Sequence, residues 1–339
     1  MKRLRVSLFA LLTGLSLLLA GCSGAVSLDL MAGVEAAEWP GTPEAPPAAF
    51  ADALRTFSWN ILRESTANEG NLLVSPASIY LALAMTLNGA DGTTREAMLA
   101  ALASDDLTVE ALDAACRDWM TRIGRTEADP VMTIANSIWL REGFVADPAF
   151  LQANADFFAA GARALDFSKQ EALDTINGWV LDATRGKIDK ILERIGPAAV
   201  MYLVNAIHFK ADWKTPFIKN YTADGSFAAP AGSVTVPFMH HTGPMAFVEL
   251  DGARGVLLDY EDPRFAFLAL LPPDGQDPRQ LAGTASGTWL ASLLASARTT
   301  GVDLSLPQFE TAYSDSLLDE MDRLGMGVAF GAGADFSRM

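Results

Sequence analysis

The stretch Leu72-Leu73-Val74-Ser75-Pro76-Ala77-Ser78-Ile79, running on through Tyr80-Leu81-Ala82-Leu83-Ala84-Met85-Thr86-Leu87 to Asn88-Gly89, organises what surrounds it. A short apolar run meets Ser75-Pro76, an N-cap serine followed by the proline that first helical positions favour. Ile79 to Leu87 is then almost wholly apolar, and a helix apolar all round has to be buried on every side. Asn88-Gly89 stops it.

Upstream, Leu54, Phe57, Ile61 and Leu62 recur at helical spacing. Downstream, Met132, Ile134, Ile138 and Leu140 alternate as a strand would, and Leu173, Ile176, Val180 and Ala183 return to a helical period that Thr184-Arg185-Gly186 ends. Ala198 to Phe209 is apolar on both faces, which predicts a strand between two layers. Met245–Leu250, Gly255–Tyr260 and Phe265–Leu271 read as a meander, turned at Asp251-Gly252 and Asp262-Pro263. Trp289, Leu290, Leu293 and Leu294 make a helix; Val302, Leu304 and Leu306 alternate; Leu317, Met321 and Leu324 are again helical. Helices mixed with mostly antiparallel strands, with no repeat and no internal linker, predict one α+β domain over residues 48–339.

The 339 residues are 50% hydrophobic, which excludes a mostly disordered chain, and carry 25 basic against 41 acidic side chains for a formal charge of −16. That balance excludes nucleic acid as a partner, because a duplex binder needs a basic face to displace counterions. Two cysteines cannot staple a chain of this size. Cys116 lies in an apolar and acidic helical stretch with no histidine or basic cluster near it in sequence, so it reads as a buried or half-buried free thiol.

Residues 1–21 open with Lys2, Arg3 and Arg5 and continue as a short apolar segment, the pattern of a secretory signal. It ends in Leu19-Ala20-Gly21-Cys22, which resembles the bacterial lipobox and implies lipidation of Cys22. A multi-chain anchor holds firmly, at about 0.8 kcal/mol per buried methylene. Ser23 replaces the aspartate of an inner-membrane retention signal, so the expected location is the cell envelope, in the outer membrane where the cell has one. Loss of residues 1–21 takes three positive charges from −16 and leaves −19. Residues 22–47, with Pro40, Pro43, Pro46 and Pro47 and no amphipathic period, are expected to be a flexible tether.

Catalytic signals are sparse. His208, His240 and His241 are the three histidines. His208 sits inside an apolar strand as a core histidine would, and adjacent His240 and His241 point to opposite faces of an extended chain, a poor arrangement for sharing a metal. No G-x-S-x-G elbow, H-E-x-x-H, paired C-x-x-C or phosphate-cradling glycine motif occurs, and Gly325 and Gly327 read as a helix C-cap and turn. No metal and no cofactor is expected.

Several ordered segments together resemble the serpin family. They are Asn71 to Ile79 with Asn88-Gly89-Ala90-x-Gly92-x-Thr94-x-Glu96; Asn136-Ser137-Ile138-Trp139; and Ile176-Asn177-Gly178-Trp179-Val180 with Thr184-x-Gly186-Lys187-Ile188. Leu203-Val204-Asn205-Ala206-Ile207-His208-Phe209-Lys210-Ala211-Asp212-Trp213, Leu306-Pro307-Gln308-Phe309, Leu324-Gly325-Met326-x-x-Ala329-Phe330 and Ala334-Asp335-Phe336-Ser337 follow in order. The resemblance spans about Pro47 to Met339. It implies a large, mostly antiparallel sheet, a second smaller sheet and surrounding helices. It also implies that Ser75, Ser78 and Asn205 form the polar "shutter" beneath the parting of the large sheet, and that Trp213 is the "breach" tryptophan at its top.

The implied activity is inhibition of a serine or cysteine protease by a suicide substrate: a reactive loop is cleaved, inserts as an extra strand and drags the acylated protease with it. The segments that follow Ser337 in the family, including the reactive loop and final strands, are not in this sequence, so the reactive bond and target are unread. About eight core side chains in such strands would represent about 12 to 24 kcal/mol gross, against about 5 to 15 kcal/mol of net stability for an ordinary domain. A reading frame continuing past Met339, or strands supplied by another chain, is therefore expected. Two other functions compete: a non-inhibitory serpin-like binding protein at the cell envelope, and a secreted hydrolase using His208 or His241, for which the sequence offers no nucleophile elbow.

Overall fold

The computed structural model describes residues 27–103, 107–124, 132–229 and 232–339, so the signal segment and Cys22 lie outside the described residues. The chain enters through β1 (Leu28–Asp29) and the helices α1 (Ala48–Ser65), α2 (Pro76–Leu87), α3 (Gly92–Leu102) and α4 (Val109–Gly124). Next come β2 (Met132–Arg141), α5 (Pro148–Phe158), β3 (Gly161–Leu165), α6 (Gln170–Ala183) and β4 (Met201–Phe209). A second run holds β5 (Ala223–Ala229), β6 (Gly232–Leu250), β7 (Ala253–Asp259), β8 (Ala266–Leu271), α7 (Pro278–Thr284), α8 (Gly287–Ala295) and β9 (Arg298–Pro307), followed by the short α9 (Leu318–Met321). The architecture is α+β, as the alternating periods predict.

Ser75 caps α2 as expected, its hydroxyl accepting from the Ser78 N–H at 3.4 Å with Pro76 in the first turn. Tyr80, Leu81, Leu83, Ala84, Met85 and Leu87 are all buried. The Tyr80 ring meets Phe50 and Phe57 edge-on at 5.9 and 5.3 Å, and its hydroxyl donates to the Leu102 carbonyl at 2.6 Å. Each side chain fully buried in this way contributes about 1.5–3 kcal/mol. Cys116 is a buried free thiol.

The first sheet has the order β1-β3-β2-β4. Strands β2 and β3 are parallel because α5 carries the chain back to the starting end between them, and β2 and β4 are antiparallel. Helix α2 packs on one face of β4. On the other face α6 buries Ile176 and Val180 with Trp139 and Val204.

The second sheet is antiparallel throughout: β5-β6-β7-β8, with β9 pairing β6 from Phe238↔Pro307 to Phe247↔Arg298. The β6–β7 hairpin turns at Asp251 and Gly252, both with positive φ (51° and 81°), the conformation a two-residue type I′ hairpin requires.

Among the described residues the antiparallel sheet is the larger, with five strands, and the mixed sheet has four, in keeping with the large mostly antiparallel sheet and second smaller sheet that the resemblance implies. Leu72–Val74 joins no ladder among the described residues, and Leu73 is 53% exposed. The strand expected from Ala198 begins at Met201, and only Val204, Ala206 and His208 are buried, the alternate residues being half-buried at a sheet edge.

The tether expected over residues 22–47 is docked in much of its described part. Leu28 and Asp29 pair with Ala164 and Arg163, and the Leu30 N–H donates to the Ala162 carbonyl at 3.0 Å. Further along, Ala37 N–H donates to Asp156 Oδ1 (2.7 Å), Trp39 Nε1 to the Asp156 carbonyl (2.9 Å) and Gln152 Nε2 to the Glu35 carbonyl (2.8 Å). Leu30, Met31, Val34 and Trp39 pack on the main core. The outer edge of β3 offers unmatched backbone groups, and these scattered apolar residues bury against it although they carry no regular period.

Candidate functional site

The candidate site is the length of β4 and the groups at its two ends. Because β4 pairs with β2 in register Asn136↔Asn205, the two asparagines lie directly opposite. Asn205 Nδ2 donates to Asn136 Oδ1 at 2.7 Å, and Asn136 Nδ2 donates to the Phe158 carbonyl at 2.7 Å. The Asn205 Oδ1 is buried and accepts no hydrogen bond among the described residues. An unmatched amide oxygen of this kind costs about 1–3 kcal/mol.

The structure thus brings Ser75 and Ser78 together, Oγ to Oγ at 3.1 Å at the start of α2, but Asn205 bonds to Asn136 and hydrogen-bonds neither serine among the described residues. Asn136 is the residue that sequence reasoning passed over. Its signal was present: Asn136-Ser137 are two polar residues in the middle of an apolar strand, both buried in the structure, where a polar side chain needs a partner. Ser137 has one in Trp139, whose Nε1 donates to its Oγ at 2.8 Å.

Beyond the end of β4, Trp213 is half-buried in an aromatic cluster. Its ring stacks on Tyr260 at 4.5 Å with an interplanar angle of 11°, and Phe217 and Phe267 meet it edge-on at 6.1 and 5.8 Å. Phe209, the last residue of β4, sits against Tyr260 and Phe265, both at 5.2 Å. Trp213 and Tyr260 also form an isolated β-bridge, and the Lys214 N–H donates to the Asp259 carbonyl at 3.0 Å. The end of the first sheet is therefore bonded to the β7–β8 hairpin of the second. Burial pushes the Tyr260 phenol above its ordinary range. A cavity of about 240 Å³ opens beside Trp213, lined by Phe217, His241, Met245 and Leu257.

The three histidines lie on β4 and β6. His208 is buried in β4 opposite Thr133. His241 lies edge-on to Phe217 at 6.3 Å. His240 Nδ1 is 2.8 Å from Ser305 Oγ across the β6–β9 ladder, but no carboxylate bonds its ring among the described residues, so the serine has no polarised base. No group of three or more His, Cys, Asp or Glu side chains among the described residues is arranged to hold a metal.

Comparison with known proteins gives one family. The family model described as Serpin (serine protease inhibitor) matches residues 52–339. An uncharacterized serpin-like protein of Thermococcus kodakarensis is 31% identical over 284 residues, covering 82% of this chain and 66% of its own, so the chain spans just under two thirds of that relative. The leukocyte elastase inhibitor of Bos taurus is 29% identical over 80% of this chain and 74% of its own. Among solved structures, the thermophilic serpin tengpin in its native state superposes with a TM-score of 0.85 at 33% identity, over 92% of this chain and 80% of that one.

Proposed function

Because the chain belongs to the serpin family, we propose that it inhibits serine or cysteine proteases as a suicide substrate, through a loop that inserts beside β4 after cleavage. The supporting observation is the setting of β4 between two helices. β4 is nine residues long, is covered by α2 on one face and α6 on the other, and is hydrogen-bonded on its β2 side alone among the described residues. A strand inserted beside β4 would gain a row of backbone hydrogen bonds and bury alternate side chains between those helices, and serpin loop insertion is a known case of strand addition. Insertion moves the loop's attached protease along the sheet and pulls its acylated active site out of shape, so one inhibitor is consumed per protease. The Ser75–Ser78 contact at the start of α2, the Asn205–Asn136 bond between β4 and β2, and the packing of Trp213 beyond the end of β4 would govern how readily the sheet accepts the strand.

In this reading a lipid on Cys22 carries the protein at the cell envelope, facing the periplasm or the exterior. Incubating the protein from its full coding sequence with a panel of serine and cysteine proteases should give a 1:1 complex that survives denaturing electrophoresis. Cleavage with no stable complex overturns inhibition. It would favour instead a non-inhibitory binding protein, for which the cavity beside Trp213 is the supporting observation.

A further inference from the structure

We propose that the end of the first sheet marked by Leu28, Val145 and Val200 is the membrane-facing end of the protein, so that the anchor holds the molecule upright with Trp213 directed away from the bilayer. The inference rests on lipidation of Cys22, argued above, and adds to it the surface that meets the lipid.

Three observations place that end. Leu28 is paired with Ala164, Ala164 with Leu140, and Leu140 with Met201, so one row across all four strands connects β1 to the first residue of β4. Val145 follows the turn after β2, and Val200 immediately precedes β4, its carbonyl accepting from the Arg141 N–H at 2.8 Å. Leu28, Val145 and Val200 are 64%, 87% and 47% exposed, apolar side chains at one tip of the sheet. The other tip is Phe209 and, beyond it, Trp213.

Covalent reach then sets the orientation. A freely moving tether of 25 residues could extend about 85 Å and would leave the body unoriented. The chain is docked from Leu28 onward, so six residues span Cys22 to the sheet, a reach of about 20 Å at most. The nine residues of β4 are themselves about 27 Å long, so Trp213 cannot come as close to the anchor as Leu28 does.

The test uses the lipidated full-length protein in phosphatidylethanolamine–phosphatidylglycerol vesicles carrying an acceptor dye on a lipid headgroup. A donor dye is placed at Val145→Cys or at Lys210→Cys; Cys116 is buried and does not compete for label. Transfer from position 145 should be several-fold stronger than from position 210. Replacing Asp29 and Leu30 by proline, which removes the Leu30 N–H that donates to the Ala162 carbonyl and disrupts the pairing of residues 28 and 29 with β3, should bring the two signals together. Equal or reversed transfer in protein shown by mass spectrometry to carry the lipid overturns the orientation alone. Absence of lipid on Cys22, or membrane retention unchanged in Cys22→Ala, overturns the anchor and the orientation with it.

Discussion

Asp113 on α4 is 2% exposed, and its carboxylate accepts a hydrogen bond from Asn88 Nδ2 at 3.3 Å. Burial pushes its pKa up to about 8, against a smaller lowering by the Asn88 hydrogen bond; Glu110 adds to the rise and Arg95 opposes it. An unfolded aspartate titrates near about 4, so between that value and about 8 the folded protein holds a proton the unfolded chain releases. Stability present at acid pH is therefore lost as pH rises through this window. Asp113→Asn keeps the shape and removes the charge; its melting temperature should match the parent near pH 4 and exceed it above pH 8. Parallel pH profiles would count against a proton on Asp113.

Asn205 allows a second test at the same scale. Asn205→Ala removes the donor to Asn136 Oδ1, which should cost about 1–3 kcal/mol in denaturant unfolding. Under the proposed role it should also increase formation of polymers on mild heating, read by native electrophoresis. Unchanged unfolding and no polymer would argue that the asparagine pair has no hold on the sheet. Asn205 was legible in the sequence through the Leu203–Trp213 motif that resembles the serpin family. That its partner is Asn136, and not Ser75 or Ser78, depends on the β2–β4 register, which no local pattern encodes.

At the scale of elements, α6 and its return to β4 show how one side chain can hold a long connection. Asn177 Nδ2 donates to the Leu192 carbonyl at 2.9 Å, and its Oδ1 accepts from the Ile191 and Leu192 N–H groups, both at 3.0 Å. The helix itself ends where Thr184-Arg185-Gly186 says it should, with the Gly186 N–H closing on the Leu181 carbonyl at 2.7 Å and Gly186 at φ +80°. Asn177→Ala should raise amide exchange over residues 186–196 by ten-fold or more while leaving β6–β8 unchanged; uniform exchange across the chain would mean a global loss instead. Helix periods, caps and the Asp251-Gly252 turn were readable because each is decided within a few residues. The Leu28–Asp29 strand was not, since a two-residue pairing gains its stability from the edge it meets.

At the scale of the molecule, the two sheets are joined through the rings of Phe209, Trp213, Tyr260, Phe265 and Phe267. Fully buried tryptophan truncations cost about 3–5 kcal/mol, so for half-buried Trp213→Ala about 2–3 kcal/mol is expected, with Trp213→Phe recovering part of it. Calorimetry should show one transition shifted down. Two separated transitions would mean that the sheets unfold independently and that this cluster does not couple them.

The sequence by itself determined the α+β class, the helix starts and stops, the buried α2, the free buried thiol of Cys116 and the ordered motifs of the serpin family, because periodicity, caps and short motifs are local properties of the chain. Only the tertiary structure decided that β2 and β3 run parallel, that Asn205 is bonded to Asn136, and that residues 28–39 are strapped to β3 and α5. Each of these is a pairing between residues far apart in the chain, and its free energy exists only once the packed layers bring the two partners to the same place.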